Sequence, residues 1–240
     1  MNMTIIRAVG ILFIVALSAG AIDLSWYVDC GGNVSYIYPT LPTNITLREK
    51  SHETFVAGGA GLQLRLVDYF RVKTGLSYER RSCKFNGQGR FMVLGFIPVD
   101  LDGSFSFTYD FVQLPIHLVG VMPMLFPGNI YLAAGPEFGI PLTSTLRETI
   151  DSSGTTKYDT TSDIRGLTRP FDFGLSGEIG YELPMGKYFS AAAFFGYYWS
   201  LLDMYKADTA ANPNAIELDI YTRSIRFGVR LDFNLFTLRT

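Results

Sequence analysis

From position 170 to 183 the chain reads PFDFGLSGEIGYEL. Phe171, Phe173, Leu175, Ile179, Tyr181 and Leu183 take alternate places, with Asp172, Gly174, Ser176, Glu178, Gly180 and Glu182 between them. A period of two marks a β-strand, whose side chains leave in turn from opposite faces. One face is bulky and apolar; the other is acidic, small or bare.

The same pattern predicts strands over 24–36, 54–66, 70–85, 105–121, 129–146, 188–205 and 220–236, which with 170–183 makes eight. Leu62, Leu64 and Leu66 oppose Gln63 and Arg65; Val72, Leu76 and Tyr78 oppose Lys73, Ser77, Glu79 and Arg81. Ile130, Leu132, Ala134, Phe138 and Ile140 oppose Gly135, Glu137, Gly139 and Thr143. Phe227, Val229, Leu231 and Phe233 oppose Arg226, Gly228, Arg230 and Asp232. In 105–121 the apolar parity changes. Phe105, Phe107, Tyr109 and Phe111 are odd, whereas Val112, Leu114, Ile116 and Leu118 are even. That break predicts a bulge between Phe111 and Val112.

Short turns are expected after the second, fourth and sixth strands, and long polar loops after the first, third, fifth and seventh. This rhythm, with every strand long enough to cross a bilayer, predicts an all-β, eight-stranded antiparallel up-and-down transmembrane β-barrel. Closure gives each backbone group a partner where lipid offers none. The polar face then points inward and the apolar face meets outer-membrane lipid. Trp26, Tyr109, Tyr181, Tyr188, Trp199, Tyr205 and Tyr221 suit aromatic girdles at its borders.

The first residues add the compartment. Arg7 precedes an apolar run over 8–17, and Ala19-Gly20-Ala21 offers a small-residue cleavage site. Residues 1–21 therefore read as a signal peptide and 22–240 as the barrel domain. No later run of about eighteen apolar residues suggests a membrane helix. With 20 basic and 22 acidic residues, no nucleic-acid partner is indicated. Cys30 and Cys83 fall on strands that are not neighbours in this register, so no disulfide is expected between them.

The inward charges are Arg65, Lys73, Glu79, Arg81, Glu137, Asp172, Glu178, Glu182, Arg226, Arg230 and Asp232. In a narrow barrel such a mixture is expected to pair and fill the lumen, a structural polar network rather than a catalytic one. Glu178 and Glu182 share a face about 13 Å apart, too far for a glycosidase pair. Of the two histidines, His117 falls on a polar face, and Ser51-His52 are chain neighbours rather than a triad. No metal-ligand spacing, cofactor motif or catalytic residue stands out.

Two motifs add a resemblance: Tyr109-Asp110-Phe111-Val112-Gln113-Leu114-Pro115-Ile116, and Ala134-Gly135-Pro136-Glu137-Phe138-Gly139. With the paired late strands, they resemble the bacterial outer-membrane β-barrel domain family, the PorT-like group in particular, and OmpA-like eight-stranded barrels. The resemblance implies a bacterial outer-membrane location, insertion by the barrel-assembly machinery, and an envelope or secretion partner. The expected function is non-enzymatic, structural or partner-binding through extracellular loops. A secretion or transport component, a small ion channel and a soluble lipocalin-like binder are the alternatives.

Overall fold

The structure, a computed structural model, describes residues 21–39, 45–93, 97–124, 127–152, 155–204 and 220–239. Residues 1–20 of the expected signal peptide and the expected loop 206–219 lie outside the described residues. The strands are β1 (Ala21–Pro39), β2 (Ile45–His52), β3 (Thr54–Val67), β4 (Phe70–Val93), β5 (Ile97–Pro123), β6 (Asn129–Ser152), β7 (Thr155–Asp163), β8 (Asp172–Pro184), β9 (Phe189–Ser200) and β10 (Ile220–Arg239). Eight of them, β1-β3-β4-β5-β6-β8-β9-β10, form a closed antiparallel wall, sealed where β10 pairs with β1.

The remaining two strands correct the expected loops. On β4, β3 pairs as far as Glu79, and β2 takes over from Cys83 to Gly89. On β6, β8 pairs 129–139 and β7 pairs 145–152. β4 and β5 stay in register to Val93 and Ile97. Three of the expected loops are therefore largely strand, extending the wall past one rim. The other rim carries the Met124 N–H donating to the Gly128 carbonyl oxygen, and tight connections at Asp68–Tyr69 and 185–188. Gly186 takes a φ of 100° in the last of these, a conformation glycine adopts without strain.

Outward positions on the lower wall are apolar. Leu76, Leu118, Leu132, Ile179, Phe195 and Val229 are all exposed. Inward positions are polar and buried, including Lys73, Glu79, Gln113, His117, Glu137 and Arg230. Higher up, the two chemistries exchange places without the strands turning over. On β4 the outward series runs Leu76, Tyr78, then Arg80 and Lys84, while the inward series runs Glu79, Arg81, then Cys83 and Phe85. On β5 Phe107, Tyr109 and Phe111 point inward on the same parity as Gln113 and His117. The parity break in the sequence is thus a change of surroundings. Below it the outside medium is lipid, and above it water, so apolar side chains move indoors.

A bulge does exist at this height, but on the partner strand. Asp110 pairs with Thr143 and Phe111 with Pro141, which leaves Leu142 as the extra residue on β6. Parity resets there, so Ser144 is buried inward and Thr143, expected inward, hydrogen-bonds from outside to Asp110. Tyr109, 1% exposed, is no girdle residue. Trp26, Tyr181, Trp199 and Tyr221 do face outward, whereas Tyr188 is exposed in the turn before β9. Residue 205 lies outside the described residues.

Candidate functional site

The barrel interior holds two layers of charge. In the upper layer, Arg81 from β4 pairs with Glu79 and with Asp172 of β8, each at 2.9 Å. Its guanidinium lies between the rings of Phe111 and Tyr198, 4.5 and 4.1 Å from their centroids. Arg226 from β10 reaches Glu137 at 2.6 Å, Glu79 at 2.7 Å and Gln113 at 3.0 Å. Ser224 donates to Glu79, and Tyr198 and Ser200 donate to Asp172.

The lower layer is centred on Glu178, which takes Lys73 at 2.7 Å on one oxygen and Arg230 at 2.8 Å on the other. Tyr131 also donates to it. Arg230 reaches back to Asp232 at 3.2 Å, and Arg71 pairs with Glu182 at 2.7 Å. Arg65 meets Asp23 at 3.2 Å near the rim, where both are partly exposed. Each of the eleven charged positions read as inward therefore has an opposite charge beside it. Glu178 and Glu182 answer to different cations.

Sequence reasoning missed several members. Arg71 has the parity of Lys73 but sits beside the β3–β4 turn, where the strand signal is weakest. Tyr131 and Tyr198 were hidden because glycine, rather than a charged side chain, marks their space. A Cβ on Gly180 would lie 2.4 Å from the Tyr131 ring, and one on Gly174 would lie 2.6 Å from that of Tyr198. These glycines receive tyrosine rings.

Between the layers His117 Nε2 and Ser176 Oγ are 2.6 Å apart, while His117 Nδ1 has no partner and no carboxylate orients the ring. His52 Nδ1 lies 3.1 Å from the Ser35 carbonyl oxygen. Neither arrangement forms a nucleophilic triad. Among the described residues no group of three or more His, Cys, Asp or Glu could hold a metal ion. A cavity of about 60 Å³ remains between the layers, bordered by Asp29, Lys73, His117 and Arg226. It has room for about two waters.

Above the charges sits an apolar plug. Cys83, Phe85, Phe107, Tyr109, Phe111, Ile164 and Met204 are each at most 9% exposed, with Leu146 packed against them. Ile164 is held by its N–H on the Ser144 carbonyl, and Met204 by its carbonyl on the Arg169 N–H. The plug thus ties the segment after β7 to the segment after β9. Cys83 points into it and Cys30 points outward, so no bond joins them. An aqueous path through the barrel would have to break both charge layers and open this plug.

A closed eight-stranded barrel with an apolar outer belt and a polar interior is an integral outer-membrane barrel. A family model described as outer membrane protein beta-barrel domain matches residues 17–206, and the chain belongs to that family. The fold is similar to that of OprG from Pseudomonas aeruginosa, at 10% identity over 88% of this chain and 95% of that one, TM-score 0.43. It is also similar to Ail from Yersinia pestis in complex with the heparin analogue sucrose octasulfate, at 12% identity over 88% and 99%, TM-score 0.35. Neisserial surface protein A stands at 11% identity over 88% and 96%, TM-score 0.34. Identities this low speak to fold alone. No curated protein matches the chain.

Proposed function

We propose that the protein is a non-enzymatic outer-membrane barrel whose working surface is its extracellular strand extensions. The carrying observation is the filled interior: paired charges and an apolar plug occupy the lumen, leaving the walls above the lipid belt as the accessible surface. Those walls are β2, the upper halves of β4, β5 and β6, and β7. Short connections mark the opposite rim as periplasmic. The partner is an envelope or secretion protein, a reading that the PorT-like motifs around Pro115 and Pro136 support. Export through the signal peptide at 1–21 and insertion by the barrel-assembly machinery belong to the same proposal.

Planar-bilayer recording separates this reading from a channel. The purified barrel gives no reproducible openings; regular unitary steps would overturn the filled-lumen argument. Complementation then tests the surface. A chain shortened at the β4–β5 and β6–β7 hairpins should still fold, judged by a migration shift on boiling, yet fail to rescue a deletion strain. Full rescue by the shortened chain would sink the proposal.

A further inference from the structure

Above the lipid belt the wall is a sheet with ends. Its strands run β2-β4-β5-β6-β7, and among the described residues no strand pairs with the far edge of β7. The ladder to β6 fixes which groups are spare. The Ile164 N–H donates to the Ser144 carbonyl oxygen, and the register continues with Leu146 opposite Ser162 and Glu148 opposite Thr160. Bonded and non-bonded pairs alternate along an antiparallel ladder. Ser162 and Thr160 therefore spend their backbone groups on β6, whereas Thr161 and Asp159 point theirs to the free edge. Natural edges are usually guarded by lysine, proline or a bulge. From Asp159 to Asp163 the chain is Asp-Thr-Thr-Ser-Asp, with no lysine or proline, and the register shift of this pair falls higher, between Ile150 and Asp151. Both acids already hold cations, Asp159 with Arg147 at 2.8 Å and Asp163 with Arg165 at 2.6 Å. The edge is thus neutral, β-branched and unguarded.

We propose that the free edge of β7 takes up an extended segment of another protein as an antiparallel strand. The inference rests on the extracellular reading and names how a partner is held there. Thr161 and Asp159 supply the main-chain hydrogen bonds, and the side chains beside them set the choice of sequence. A second copy in the same membrane does not fit. β2 and β7, the end strands of the upper sheet, are antiparallel to β4 and β6, which rise from the short-turn rim, so both run toward the bilayer. Every copy in one bilayer keeps that orientation, and neither end strand of a neighbour can meet β7 antiparallel. The added strand must run away from the bilayer, as a segment of a different protein at the cell surface can.

The test uses the full chain in detergent micelles and a fluorescent peptide with the sequence of residues 145–151, TLRETID, which in the fold already lies antiparallel to β7. Anisotropy should show saturable binding of this peptide and none of its fully N-methylated form, which has no backbone donors. Thr161→Pro removes a donor that β6 does not use, so the chain should still shift on boiling, while peptide binding weakens by about tenfold. Thr161→Val keeps that donor and should bind as the native chain does. The proposal is overturned if the peptide does not bind saturably, if the N-methylated peptide binds equally, or if folded Thr161→Pro binds unchanged. Complementation separates this inference from the reading beneath it. Loss of rescue with Thr161→Pro but not with Thr161→Val supports strand addition. Full rescue by Thr161→Pro, with the hairpin-shortened chain still failing, overturns strand addition and leaves the extracellular surface standing. Full rescue by the shortened chain overturns both.

Discussion

Arg226 joins acids from two different strands, because its guanidinium holds both Glu79 and Glu137, each at most 1% exposed. Arg226→Met would leave two carboxylates facing one another with Arg81 as their nearest cation. Removing one partner from a buried ionic network typically costs about 3–5 kcal/mol. The expected result is a correspondingly lower urea midpoint in detergent, with partial recovery in the Arg226→Met, Glu137→Gln pair. Titration matters at the exposed end. Hydrogen bonds from Arg147 hold the Asp159 carboxyl below its ordinary range, and those from Arg165 do the same for Asp163. A lowered carboxylate stabilises the fold above its unfolded value, and that contribution fades as pH falls through the folded value. Amide protection over 145–163 should therefore hold at neutral pH and decline only in acid. Arg147→Gln should lower protection already at neutral pH and flatten its fall in acid, because this pair's contribution is then gone at every pH. The effect is small, since solvent screens such exposed pairs.

At the scale of the strand, Leu142 sets which way the top of β6 faces. Deleting it would send Ser144 and Leu146 outward and withdraw Leu146 from the plug. In a Cys30→Ser background Cys83, fully buried in the native barrel, should then react with a water-soluble maleimide that leaves the barrel with Leu142 in place unmodified. No labelling in the deletion variant would show that the plug survives without the bulge. This strand also shows what the sequence could and could not disclose. Leu175, Ile179 and Tyr181 against Glu178 and Glu182 were readable because period two fixes the faces and lipid fixes their chemistry. Phe107, Tyr109 and Phe111 were misread because alternation reports a contrast between faces, not which one is inside. With lipid outside along the whole stave, aromatic residues had to point outward. Once water replaces lipid, the same pattern means the reverse. Parity alone put the eleven charged positions on one face, whereas their pairings depend on shear between strands distant in sequence. The tyrosines over Gly174 and Gly180 left no trace beyond the glycines themselves.

The whole molecule is a barrel in two solvents, with a border near Tyr78, Val112 and Leu142. Charge substitutions on the outer face should map it. Leu118→Arg, within the apolar belt, should destabilise the folded barrel by about 2–4 kcal/mol, whereas Thr145→Arg, above it, should cost about 0–1 kcal/mol. Unfolding titrations in phospholipid vesicles measure both, and equal penalties would dissolve the proposed border. The reach of the ion pairs has a further consequence, for assembly. Arg81 finds Asp172 across 91 positions of chain, Lys73 finds Glu178 across 105, and Arg226 finds Glu79 across 147. A sheet lacking its last strand holds Glu79 and Glu137 without Arg226. If it entered the bilayer piecemeal, those charges would face hydrocarbon. Neutralisation of Glu137 waits on the arrival of β10, so the nascent wall must be kept curled or chaperoned until its final hairpin closes the ring.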